Sequence, residues 1–145
     1  MKKKYQNKKK KAMMPEVDNV IPLSSNLHDF FNLWLKFIKP FHNLTEREQD
    51  VTAAFLRMRH ELAGKINDQK ILNQVLFSEQ TKKKIMEETH LSVAHFQVIM
   101  GKLRKAGVIK DNTLNPKIVP LIKPGAKDFK LLLFFDIEDE SSESV

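Results

Sequence analysis

Two clusters of cations carry most of the chemistry this sequence has to offer. Lys82, Lys83 and Lys84 stand together; Lys102, Arg104, Lys105 and Lys110 follow, preceded by His95 and Gln97. Ammonium and guanidinium groups donate to phosphate oxygens. Histidine and glutamine can reach base edges, and glutamine can pair bidentately with adenine. The chemistry these residues suit is recognition of a polyanion with readable edges. Bond-making machinery is absent from the sequence: there is no Walker loop, no GxSxG, no dinucleotide fingerprint and no cysteine. His28, His42, His60, His90 and His95 do not form a metal pattern, so neither a metal, a cofactor nor an enzyme activity is expected.

The formal charge of +7 is concentrated in two places. Lys2, Lys3, Lys4, Lys8, Lys9, Lys10 and Lys11 supply seven charges before residue 12, so the remaining chain sums to zero. Within that remainder, residues 78–110 hold seven bases and three acids, a balance of +4, whereas residues 111–145 hold four bases and seven acids, a balance of −3. A basic arm and one internal segment therefore hold the positive charge. The arm, residues 1–26, is expected to be flexible, because a lysine block buries too little surface to fold and Pro15 and Pro22 interrupt any helix. It could grip phosphate or enter a minor groove. Residues 138–145 read as an acidic, disordered tail, leaving 27–137 as one folded domain.

The elements that must position the internal cations are helical. Leu27, Phe30, Phe31, Trp34, Phe37 and Ile38 recur at spacings of three and four, predicting a helix capped by Asn26 and stopped by Pro40. Thr45 and Glu48 match a capping box, and a helix from there to about Ala63 would bury Val51, Ala54, Phe55, Met58 and Leu62, with Gly64 as its stop. A third helix spans residues 68–77 and presents Ile71, Leu72, Val75 and Leu76. Residues 81–88 and 92–105 form two more, separated by a turn near 89–91. Short strands are expected at 108–109 and 117–121 around a polar loop, and a stronger β signal covers 130–137.

Ile85, Leu91, Phe96 and Ile99 stand six, five and three residues apart, the spacing that locks a helix-turn-helix corner. Ser92 is a suitable N-cap, with Met100 and Leu103 continuing the inner face. The runs Leu91-Ser92-Val93-Ala94-His95-Phe96 and Leu103-Arg104-Lys105-Ala106-Gly107-Val108-Ile109 resemble the recognition helix and wing of bacterial winged-helix regulators. Multiple-antibiotic-resistance-type repressors and plasmid or phage replication initiators share this ending. His90 stands where glycine is usual and Met86 where alanine is customary, which predicts a slightly opened corner. The resemblance covers about residues 44–122. It implies a mostly α fold with a winged helix-turn-helix and a small C-terminal β element.

On this reading the partner is double-stranded DNA. His95, Gln97, Lys102, Arg104 and Lys105 would face base edges, while Lys82, Lys83, Lys84 and Lys110 would hold backbone. The role implied is that of a transcription regulator or replication-initiation factor, and the lysine-rich, cysteine-free composition suits a bacteriophage protein. The alternative is a virion structural or assembly protein that reuses the fold for protein docking. Self-association, as a homo-oligomer or within a larger assembly, would draw on Phe30, Phe31, Trp34 and Phe37, or on Leu131, Leu133 and Phe135 in the apolar run. No apolar stretch approaches the roughly 20 residues that cross a bilayer. The expected location is the cytoplasm of a bacterial or phage-infected cell, or the virion under the alternative.

Overall fold

Helix starts in this chain are set by side chains that accept from the free amides of a first turn. In the computed structural model, which describes residues 16–138, α1 (Leu27–Phe37) begins at Asn26, whose Oδ1 accepts from the Asp29 amide at 2.8 Å. Pro40 does more than end this helix. It sits in the first turn of a short α2 (Lys39–His42), where a missing N–H costs nothing. Asn43 then turns the chain through a left-handed conformation. The His42 ring fixes this corner: Nδ1 accepts from the Leu44 amide at 3.0 Å while Nε2 donates to the Leu35 carbonyl at 2.7 Å. Those partners assign the tautomer.

The expected capping box opens α3 (Glu46–Ala63), with Thr45 and Glu48 each accepting from the other's amide at 3.3 and 3.1 Å. The sequence pattern suggests one buried face for α3, but residues 51–56 are all buried. α3 is the central helix, packed on α1, α4 (Gln69–Leu76), α5 (Glu79–Thr89) and α6 (Val93–Lys105). Ala53 and Ala54 leave room for its neighbours, and Thr52 satisfies its hydroxyl internally by donating to the Glu48 carbonyl at 2.8 Å. Phe55 stacks on Phe77 at 5.1 Å in the middle of the core. On α4, Leu72 and Leu76 are buried while Ile71 and Val75 face outward.

The β structure departs from expectation in both position and extent. The chain reverses within the polar loop itself: β1 (Ile109–Lys110) pairs antiparallel with β2 (Thr113–Leu114), Ile109 opposite Leu114. Asp111 and Asn112 both have positive φ, 52° and 56°, as a two-residue turn that matches strand twist requires. The strand expected at residues 117–121 is instead a 3-10 turn, Pro116–Ile118, followed by extended chain. Pro116 and Pro120 each lack the donor a strand would need.

The β signal at residues 130–137 also yields no strand. A strand needs a neighbouring backbone, and among the described residues the sheet ends with its two short strands. Leu131, Leu132, Leu133, Phe134 and Phe135 stand exposed, at 45% to 79%. Overall the described residues form a mostly helical fold with a small two-stranded sheet near the C-terminus. No helix among them is long and apolar enough to cross a membrane. The seven arm lysines and most of the acidic tail lie outside the described residues.

Candidate nucleic-acid interface

The corner between α5 and α6 is built on one left-handed residue. His90 takes φ 58° and ψ 43°, the conformation a glycine would supply at less cost. Its amide donates to the Glu87 carbonyl at 3.3 Å and that of Leu91 to the Met86 carbonyl at 3.0 Å. These are the two bonds of a Schellman cap. Ile85, Phe96 and Ile99 are buried and Leu91 packs partly buried against the same core, so all four corner residues point inward. Ser92 accepts from the His95 amide at 3.2 Å and starts α6.

Two arginines on α3 hold α5 in place. Arg47 Nη2 donates to the Thr89 carbonyl at 3.4 Å, at the electronegative end of that helix. Arg57 pairs with the Glu88 carboxylate and donates from Nη1 to the His28 carbonyl at 3.2 Å, tying α1 and α5 to α3. Burial pushes the Arg57 guanidinium below its ordinary value, against the opposing pull of Asp29, Glu61 and Asp50.

α6 divides sharply by face. Phe96, Ile99, Met100 and Leu103 are buried, while the rest of the helix is exposed. At 3.6 residues per turn, the line opposite the buried face runs through Ala94, Val98, Gly101 and Lys105. Gln97 and Arg104 flank it on one side, His95 and Lys102 on the other. Members of each flanking pair are two turns, about 10.5 Å, apart along the axis. Residues 93–105 hold three cations and no acid. All five side chains expected to face base edges are exposed, spread over the outer arc and its two flanks.

The backbone-holding set is less uniform. Lys83, Lys84 and Lys110 are exposed, and among the described residues none of them enters an ion pair. Lys82 is different: its side chain is only 16% exposed and lies 3.7 Å from Glu79. Because α5 starts at Glu79, two residues earlier than the sequence suggests, Glu79 faces the positive end of the helix dipole and the lysines begin at the fourth helical position. The three lysines therefore lie beyond the first three helical residues, away from that positive end.

The sequence reading overlooked Ala94, Val98 and Gly101, the centre of the exposed arc, because it ranked residues by charge. Subtracting the buried positions of α6 from its helical phase would have found them. The aromatic stripe of α1 is largely internal: Phe31 and Trp34 are buried in this chain's own core, and Phe30 packs half-buried against Phe31, Trp34 and Phe129. Phe37 is 45% exposed, and Leu131, Leu133 and Phe135 lie open. A cavity of about 30 Å³ between α1, α3 and residues 119–122 has room for one water, which is too little for a cofactor. Among the described residues no three His, Asp or Glu side chains group as metal ligands.

The chain matches no family model, no curated protein and no solved structure. In charge and form, the α6 face is a convex, cation-bearing ridge rather than a pocket.

Proposed function

We propose that this protein binds duplex DNA, with α5 and α6 as a helix-turn-helix, α6 in the major groove and the β1–β2 hairpin as a wing. The observation that carries the reading is the division of α6. One face anchors the helix in the core, and the other is an open arc with three cations and no acid. Lys83 and Lys84 on α5 and Lys110 on β1 add further exposed cations outside α6. Helix termini, cations and a groove-sized ridge are what duplex binding requires. A regulatory or replication-initiation role, in a phage or its host, is the biological setting this reading favours.

A gel-shift titration against random-sequence duplex at two salt concentrations tests it. Binding is expected at low salt and should fall as salt rises, with log K dropping by about 0.9 for each phosphate neutralised per unit of log salt. Arg104→Ala with Lys105→Ala should weaken binding and flatten that slope. No binding at low salt, or unchanged binding by the double variant, rejects the α6 assignment. Loss of all binding on deleting residues 1–11 alone would instead assign the affinity to the arm.

A second reading, protein assembly, is favoured by the exposed apolar run Leu131-Leu132-Leu133-Phe134-Phe135. It expects a sedimentation coefficient that rises with protein concentration and stops rising when Leu133→Lys and Phe135→Lys are introduced together.

A further inference from the structure

We propose that α6 selects A·T base pairs, with Gln97 pairing to adenine and Val98 packing on the thymine methyl group; this rests on the DNA-binding reading above. In a helix-turn-helix the N-terminal residues of the second helix reach base edges. In α6 those turns present Ala94, His95, Gln97 and Val98, all exposed. Val98 is 54% exposed on the outermost line of the helix and is not among the side chains packed on the core. An aliphatic side chain has no donor or acceptor with which to read a G·C pair, and the thymine methyl is the apolar feature of the major groove. Gln97, its immediate neighbour, carries the donor and acceptor that match the N6 and N7 atoms of adenine.

The same geometry reassigns the cations. Lys102, Arg104 and Lys105 occupy the last turn of α6, with Arg104 about 10.5 Å beyond Gln97 along the axis. There they grip phosphate rather than read guanine.

Gly101 supports this placement independently of charge. A glycine inside a helix costs about 1 kcal/mol relative to alanine. An added Cβ at Gly101 would meet nothing within 4 Å, so packing within the chain does not require glycine there. Its position on the outward line beside Val98 lets the helix backbone approach the groove floor.

The experiment measures binding of the full chain to three 20-base-pair duplexes at one low salt concentration. One has mixed-order A·T pairs, one has G·C pairs, and one repeats the A·T sequence with deoxyuridine replacing thymidine. The A·T duplex should bind about tenfold tighter than the G·C duplex. Deoxyuridine should cost several-fold for the wild-type chain and nothing further for Val98→Ala. Gln97→Ala should reduce the A·T preference to the several-fold share that the thymine methyl supplies. Gly101→Ala should raise the melting temperature yet weaken binding to all three duplexes. Equal affinity for the A·T and G·C duplexes, or a preference for G·C, overturns the selectivity proposal while leaving the DNA-binding reading intact. A Gly101→Ala variant that binds like wild type overturns the close approach. Absence of binding to any duplex overturns the DNA-binding reading itself, and a protein-docking role for the α6 face then takes its place.

Discussion

α1 and α6 begin alike, each on a polar cap that accepts from the amide three residues on, and each buries one apolar face. They differ in what covers the remainder. The aromatic side of α1 is enclosed by α3, by the Phe129 ring set edge-on to Phe30 and Trp34, and by the Ile118 carbonyl, which accepts from Trp34 Nε1 at 2.8 Å. α6 is held by four buried side chains, and its outer arc is exposed. One helix serves the fold around most of its circumference. The other serves the fold with one face and leaves the opposite face free for a partner. Amphipathicity alone does not separate these cases; the returning chain after β2 does.

The largest expected effect lies on the enclosed helix. Trp34→Ala should destabilise the protein by about 3–5 kcal/mol in a urea titration, because it opens a cavity and strands the Ile118 carbonyl. A loss below about 1 kcal/mol would mean that the α1 face is not core and would collapse the contrast.

Next comes Arg57→Ala, which removes one tie of α3 to both α1 and α5. With the Arg57 side chain 13% exposed and Glu88 able to recover water at 38%, a loss of about 1–2 kcal/mol is expected, with Arg57→Lys recovering part of it. Thr45→Ala removes half of the capping box and should cost about 1 kcal/mol by the same titration. The smallest effect belongs to the outer arc. Lys102→Ala, Arg104→Ala and Lys105→Ala combined should shift stability by no more than about 0.5 kcal/mol. A larger loss would show that these side chains support the fold, erasing the distinction between the two helices.

Features written in local residue identity were legible in the sequence. Asn26, Thr45, Asp68, Ser78 and Ser92 each cap a helix, and three of them, Asn26, Thr45 and Ser92, could be read as caps because a cap depends on residues only two or three positions away. The corner spacing of Ile85, Leu91, Phe96 and Ile99 belongs to the same class, since all four lie within two short helices.

Features that depend on distant partners were not legible. Thr52 and Ala53 look neutral in hydropathy, so the sequence gives no sign that α3 is surrounded. Ile118 and Val119 read as strand residues, yet their neighbours Pro116 and Pro120 withdraw the amides a ladder needs. The turn at Asp111-Asn112 lacks the glycine that usually marks a two-residue hairpin, which hid its position inside the loop. Leu131 to Phe135 has the composition of a strand but finds no edge to join. For the candidate site, charge alone located its rim, whereas its centre became visible once the buried phase of α6 was known.

Trp34 is the single tryptophan of the chain. Its indole is buried, bonded to the carbonyl of Ile118 and boxed by phenylalanine rings on either side of the sequence. This makes the molecule self-reporting. Excited selectively, its emission follows the docking of residues 116–129 against α1. Because α6 carries neither tryptophan nor tyrosine, that emission reports the core without a contribution from the outer arc.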